Sequence, residues 1–394
     1  MATPLAIHNL IHGGWRSVLS MVGISIAIIL IFMQLGFLGA VTDTAVIFYD
    51  KMDFELLACS PDYYMFTEPG RISRDDLQRI ASVPGVKGVQ PLHVSLAKWN
   101  YAEREVQRGI LLIGLEDMQT TFNDPALQQQ DGYLDNDQSI LVDRASRPQF
   151  LGDQNTTPFD ESHLGLNVEL NGVRCRVAEY VQIGTGLAAD GAALIRQQLF
   201  RRIVPGYSGQ DVCLGLVQLE EGTDVHEIQD RIRGLFELAA SSDSPSSSVD
   251  VLTRQQVGER EAMYWRVGTP VGFIFVTGAI VAFGVGAIIV YIVLSSDIVK
   301  QIGEYATLKA MGYRNRYLST TVLLQAFVMA IISYSAALAV SVILYQVVGS
   351  AARLPISMNG ARMAVVLVSA LLMCFLSAMI AMQKLRQADP ADLF

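Results

Sequence analysis

The chain has 394 residues, of which 51% are hydrophobic and only 17% charged, and its formal charge is −9. An ordinary soluble domain is about 25% charged and a nucleic-acid binder carries a basic stripe, so a soluble globular enzyme and a nucleic-acid-binding protein are both excluded. The charges are also unevenly placed: residues 17–42, 267–296, 317–352 and 363–383 contain no Asp, Glu, Lys or Arg. A helix needs about 20 mostly apolar residues to cross a bilayer core of about 30 Å, and each run is long enough.

In chain order, residues 1–16 read as an amphipathic helix on the cytoplasmic interface, broken at Gly13-Gly14. His8 and His12 lie four apart there but lack a third metal ligand. Residues 17–42 form the first transmembrane helix, too long for the 7–15 residue core of a signal peptide. Residues 43–266 form a large α+β domain, and residues 267–296 the second transmembrane helix. A cytoplasmic loop at 297–316 precedes the third helix, 317–349, and a short outer loop at 350–362 precedes the fourth, 363–383, with a cytoplasmic tail at 384–394. Arg16, Lys300, Lys309, Arg314, Arg316, Lys384 and Arg386 fall on one side of this arrangement, whereas the short outer loop has only Arg353 and Arg362. The positive-inside rule therefore places both termini in the cytoplasm and residues 43–266 outside.

The large domain carries its own local signals. "SRDDLQRIASVPGVKGVQPL" predicts a helix starting at Ser73 with Leu77, Ile80 and Ala81 on one face, then a strand with Val86 and Val89. Gly109–Asp117 and Val173–Ile183 read as strands. After a strand near Val212, a turn at Glu221-Gly222 leads into a helix with Val225, Ile228, Ile232 and Leu235 at helical spacing, giving a βαβ-like unit. Ser241–Asp250 is a surface loop by composition. Then comes a strand, a helix start at Thr253, and a helix entering the second span; Asp43–Asp53 extends the first span in the same way, so the two form a stalk. Cys59, Cys175 and Cys213 allow one disulfide with a thiol left over, or three isolated buried cysteines.

Chemical motifs are sparse. The sequence contains no G-x-x-x-x-G-K-[ST], and Gly184–Ala189 matches G-x-G-x-x-A only as a glycine turn would. His93, His163 and His226 have no recognisable nucleophile, so no catalytic residues and no metal ligands are assigned. Within the spans, Gly278, Ala282 and Gly286 are spaced four apart, a small-residue face for packing within the chain or in a dimer. Gln34 and Gln325 are membrane amides that can bond across helices; with no acidic or basic partner expected, they argue against an ion path. The loop "SDIVKQIGEYATLKAMGYRNRYLSTTVL" is amphipathic and ends its helix at Gly312.

This loop also carries a family resemblance. "GEYATLKAMGY" (Gly303–Tyr313) resembles the coupling-helix signature of the FtsX/MacB superfamily of ABC-transporter permeases, "KLRQADPADLF" resembles its C-terminal ending, and "ASVPGVKGVQPL" the start of its periplasmic porter domain. "EREAMYWRVGTPVGFIF", "EYATLKAMGYRNRYL", "ADPADLF" and "FMQLGF" are most similar to the DevC-type permeases, membrane subunits of the heterocyst glycolipid exporter. The resemblance implies a homodimer in the inner membrane, with a periplasmic domain of porter and Sabre-like lobes on a stalk. It also implies two copies of a separate ABC ATPase, which binds the ATP and Mg, while this chain holds no cofactor. A periplasmic adaptor and a TolC-like outer-membrane channel would complete the path. Glu304, Tyr305, Leu308, Lys309, Met311 and Gly312 would form the ATPase-coupling surface. The implied role is mechanotransmission driving export of a lipid-like or amphiphilic substrate. Alternatives are an FtsX-like permease activating a cell-wall hydrolase, a LolC/E-like lipoprotein-extracting subunit, or a membrane-anchored enzyme.

Overall fold

The computed structural model describes residues 14–101, 103, 105–151, 159–184, 189–207, 209–240, 249–300, 303, 311, 315–352 and 354–387. The chain divides into two units, Met1–Ala40 with Thr269–Phe394, and Val41–Gly268.

The first unit is helical. Helix α1 (Gly14–Ala45) is followed by α2 (Ile47–Lys51), which belongs to the second unit; α7 (Pro270–Lys300), α8 (Asn315–Ala352) and α9 (Gly360–Gln387) complete the first. Four stretches are long and apolar enough to cross a membrane: Val18–Ala45, Pro270–Lys300, Ser319–Ala351 and Gly360–Gln383. Their inward faces form one cluster including Ile28, Phe32, Ala282, Val290, Ala330 and Met373. Because lipid is as apolar as these side chains, close packing and interhelical hydrogen bonds must supply the specificity. Ser25 Oγ donates to the Ser333 carbonyl (3.1 Å) and Ser333 Oγ to that of Met21 (3.2 Å), and Ser377 Oγ donates to that of Ala287 (2.6 Å). The Tyr345 hydroxyl donates to the Phe32 carbonyl beside Gly36, where a Cβ would strike the phenol ring. Arg362 lies within α9 rather than in the outer loop; it is buried, reaching Gly39 and the Ser357 carbonyl.

The second unit is an α+β domain. Its main sheet has nine strands in the order β11-β1-β10-β3-β4-β8-β5-β7-β6. These are β1 (Leu56–Cys59), β3 (Val86–Tyr101), β4 (Val106–Leu115), β5 (Ser139–Asp143), β6 (Asn167–Leu170), β7 (Val173–Val181), β8 (Ala192–Arg196), β10 (Leu214–Leu219) and β11 (Asp250–Thr253); β2 (Ile72–Ser73) pairs with β9 (Asp211–Val212). The 16-residue β3 organises the sheet: its first half pairs with β10, its second with β4, and Trp99 and Asn100 also pair with β6. Most pairings are antiparallel, but β4–β8 and β5–β7 are parallel.

Helices α3 (Arg74–Ala81) and α5 (Val225–Ala240) cover one end of the sheet, where Leu77, Ile80, Ile228 and Ile232 pack on Leu56 and Val217. Ser73 caps α3 by accepting from the Asp75 N–H, as its position before the apolar periodicity predicts. Two positions differ from the sequence expectation. Ala81 is exposed, and Asp76, in the first turn, is buried with Leu77 and Ile80 instead. On α5, Phe236 continues the 228–232 stripe at a spacing of four, so Leu235, one residue short of it, is turned out and 38% exposed. At the other end, α4 (Gln197–Ile203) packs Leu199, Phe200 and Ile203 with Trp99 and Phe150. All four cysteines are free and buried, which decides between the two cysteine readings.

Candidate functional site

The second unit holds a polar cluster where the chain enters and leaves it. Helix α6 (Arg254–Met263) begins at a capping box: Thr253 accepts from the Gln256 N–H and the Gln256 side chain accepts from the Thr253 N–H. This fixes Arg254 at the first helical position. Its guanidinium donates to the carbonyls of Tyr49 (2.6 Å), Met52 (2.7 Å) and Phe54 (3.1 Å) and lies 4.2 Å over the Phe54 ring. Those carbonyls belong to the C-terminal end of α2 and the residues after it, where the last carbonyls of a helix lack intrahelical partners; that of Tyr49 also accepts from the Met52 N–H at 3.2 Å. Arg260 on α6 adds an ion pair to Asp250 (3.0 Å) and a bond to the Pro61 carbonyl (3.1 Å).

Seven residues beyond Arg254, Glu261 points into the core and is 1% exposed. Its Oε1 accepts from the Tyr63 hydroxyl at 2.6 Å, lies 3.3 Å from the Tyr49 hydroxyl, and the Phe66 N–H donates to the carboxylate. The two phenols are hydrogen-bonded to each other. Burial raises the Glu261 pKa to about 7, against the opposing pull of these hydrogen bonds. Burial, and after it the neighbouring Glu261 carboxylate, raises both tyrosines well above 10; the Tyr63 phenol adds to the rise of Tyr49, whereas the hydrogen bond with Tyr49 partly offsets that of Tyr63. Phe66 stacks on Phe48 (4.9 Å) and meets Tyr49 edge-on (5.1 Å), closing the cluster against water. The arrangement ties the segment after α1 to the helix that precedes α7. It has no nucleophile; what it can do is carry force and bind a proton.

None of these residues stands out in the sequence. Glu261 and Val257 are the buried face of α6, but in "RQQVGEREAMYW" alternating charges read as a solvated surface. The one usable signal was the helix start at Thr253.

A second buried titratable group lies on β3. His93 is fully buried between Phe200 and Tyr207, and its Nε2 donates at 3.1 Å to the Gln197 amide, whose nitrogen donates to Glu116 (2.6 Å). Burial, and then the Arg201 and Arg74 charges, lower its pKa to about 4, so it is neutral at physiological pH.

The sequence-predicted residues fall as follows. Glu304, Tyr305, Leu308, Lys309 and Gly312 lie outside the described residues, and Met311 is exposed. Also outside them are His8 and His12, residues 185–188 of the glycine-rich match, most of the loop at 241–250, and the end of the tail. Gly278 faces Gln34, whose amide would lie 2.6 Å from an added Cβ, and Gly286 faces Met373 and Ala27, the latter at 2.9 Å. Ala282 is buried between them in sequence. Gln325 corrects the expectation that the membrane amides lack charged partners: its Nε2 donates to the Asp297 carboxylate at 3.1 Å. Asp297 lies just beyond the uncharged run, but α7 continues to Lys300 and brings it alongside α8.

Four membrane-length helices, with a large α+β domain between the first and the rest, define a multi-pass membrane protein with an extracytoplasmic domain. Residues 17–235 match the MacB-like periplasmic core domain, and residues 276–390 match the FtsX-like permease C-terminal domain. The first match alone spans more than half of the chain, and the chain belongs to the MacB/FtsX family of ABC-transporter permeases. It is an inner-membrane protein whose inserted domain is periplasmic. No curated protein sequence matches it. Among solved structures, the periplasmic region of MacB from Actinobacillus actinomycetemcomitans is similar at 10% identity and a TM-score of 0.37, covering 54% of this chain and 94% of that one. The extracellular domain of the noncanonic ABC-type transporter YknZ from Gram-positive bacteria is similar at 15% identity and a TM-score of 0.33, covering 51% and 99%.

Proposed function

We propose that this chain is the permease subunit of a tripartite exporter, most similar to the DevC type, that passes the work of a separate ABC ATPase to its periplasmic domain and drives export of a lipid-like or amphiphilic substrate. The observation that carries this reading is the Arg254–Glu261 clasp. A reporter or anchor domain would need no rigid tie between its two membrane connections, whereas a mechanical transmitter does. Closure of the ATPase pair pushes the 297–316 loop through Glu304, Tyr305, Leu308, Lys309, Met311 and Gly312. The push travels along α7 and through residues 264–269 into α6. Because α6 holds the end of α2 by three carbonyls and a buried carboxylate, it moves with that segment and the sheet between them responds.

In this reading residues 43–53 and 254–266 form the stalk, and the two ends of the sheet correspond to Sabre-like and porter lobes. The assembly is a homodimer with two ATPase copies, a periplasmic adaptor and a TolC-like channel. Gly278, Ala282 and Gly286 keep the helices close enough to move as a bundle. Substitution of Leu308 or Glu304 by Arg tests the reading: partner ATPase stimulation and export should both be lost while the protein still inserts. Persistence of both activities overturns it. Capture of an adaptor by the periplasmic domain supports export, and capture of a cell-wall hydrolase or a lipoprotein chaperone instead refutes it.

A further inference from the structure

Glu261, Tyr49 and Tyr63 close a triangle of hydrogen bonds whose protons can be counted. The Tyr63 hydroxyl donates to Glu261 Oε1 at 2.6 Å, the two phenols are bonded to each other, and the Tyr49 hydroxyl stands 3.3 Å from the same Oε1. A phenol has one proton to donate, so with the carboxylate ionised two protons must serve three edges. Tyr63 donates to Glu261 and Tyr49 to Tyr63, which leaves the lone pairs of Tyr49 facing the carboxylate across the 3.3 Å edge. A third proton, on the carboxyl, fills every edge: Glu261 donates to Tyr49, Tyr49 to Tyr63 and Tyr63 to Glu261. The Phe66 N–H donates to the carboxyl group in either state.

All three side chains are buried, where a charge without a counter-ion is costly, and among the described residues none supplies a cation to the carboxylate. The Cys59 thiol on β1 faces both phenols and is neutral, its pKa pushed up to about 12 by burial. Arg254 is turned to its three carbonyls. Arg260, 5.7 Å from the Tyr63 ring centroid, is committed to Asp250 and the Pro61 carbonyl, and Arg233 also reaches Asp250. Asp50, Asp62, Glu68 and Glu259 on the adjoining segments are exposed. We propose that the triangle is a proton-operated switch within the clasp: taking up one proton draws α6, α2 and the turn at residues 60–66 together, and losing it loosens them, so that acidification of the periplasm tightens the path of force. Its purpose rests on the transmitter reading above, whereas its chemistry does not.

Amide hydrogen exchange of the full chain in nanodiscs, corrected for the chemical exchange rate at each pH, tests the switch. A carboxyl that titrates at about 7 in the closed triangle and at 4.5 when exposed makes opening about tenfold rarer at pH 6 than at pH 8. Peptides covering residues 47–54 and 60–66 should show that difference in the wild type. Glu261→Gln carries a permanent donor beside its acceptor and should be equally protected at both pH values. Tyr49→Phe removes the acceptor for the third proton and should shrink the difference; it serves as the probe if the glutamine variant does not fold. Equal protection of the wild type at the two pH values, loss of protection at both in Glu261→Gln, or an undiminished difference in Tyr49→Phe overturns the switch and leaves the transmitter reading standing. In the complex with its ATPase, stimulation relative to Glu261→Gln should fall from pH 6 to pH 8, and a constant ratio overturns the regulatory role. Absence of stimulation in both proteins is instead the failure of the transmitter reading, and exchange then still decides the switch.

Discussion

Replacing Glu261 by glutamine should stabilise the periplasmic domain at pH 8 and change the shape of its pH profile. A folded-state pKa of about 7, against 4.5 in the ordinary state, means that the native domain binds the Glu261 proton more tightly than the unfolded chain does. Stability from this group is therefore complete below pH 4.5 and lost as pH rises through 7. At 1.36 kcal/mol per pKa unit this amounts to about 3 kcal/mol. His93 has the opposite sign: its pKa falls from 6.5 to about 4, so its contribution is complete above pH 6.5 and lost, again by about 3 kcal/mol, on acidification through 4. The two windows overlap, and between about pH 4.5 and 6.5 they cancel. The wild-type protein should therefore have a flat profile there. Glu261→Gln should become more stable with rising pH, and His93→Phe less stable. Thermal unfolding of the full chain in nanodiscs, followed by tryptophan fluorescence, reads this out. For a domain of this size 3 kcal/mol corresponds to roughly 6–12 °C. If Glu261→Gln is less stable than wild type at pH 8, the three hydrogen bonds outweigh burial, the carboxylate is held ionised, and the reasoning is wrong.

Arg254→Ala removes bonds to three carbonyls and should cost about 3 kcal/mol or more; Arg254→Lys should recover only part of it, since an ammonium cannot span the same fork, and both are measured by the same melts. Gly286→Val must push aside Met373 and Ala27; a loss of about 1–3 kcal/mol should appear as reduced monodispersity on size exclusion. Asp297→Asn should leave the bundle within about 1–2 kcal/mol of wild type, because the amide can still accept from Gln325, whereas Asp297→Leu strands that amide; detergent-resistance melts separate the two. The native protein should resist maleimide labelling and show four thiols only after denaturation, since Cys59 and Cys175 are buried with thiols pushed up to about 12.

The membrane half was legible because crossing a bilayer is a property of local composition. Removing the 113 residues of the four uncharged runs leaves 67 charges in 281 residues, about 24%, which is ordinary for soluble protein. The starts of α3 and α6 were legible too, since a cap acts over three residues. What the sequence could not reveal was which polar residues are withdrawn from water. Glu261 sits among the charges of an amphipathic helix, and its partners Tyr63 and Tyr49 lie 198 and 212 residues away. Arg254 looks like one more surface cation until the end of α2 is folded against it. Gln325 found an acidic partner because α7 runs one turn past its apolar stretch. In each instance the partner, and for Glu261 also the desolvation that raises its pKa, depends on neighbours brought together only by the sheet and the helix bundle. Local sequence alone determined where this chain enters the membrane; the tertiary structure decided which of its charges are buried, and thereby where its two periplasmic connections are tied.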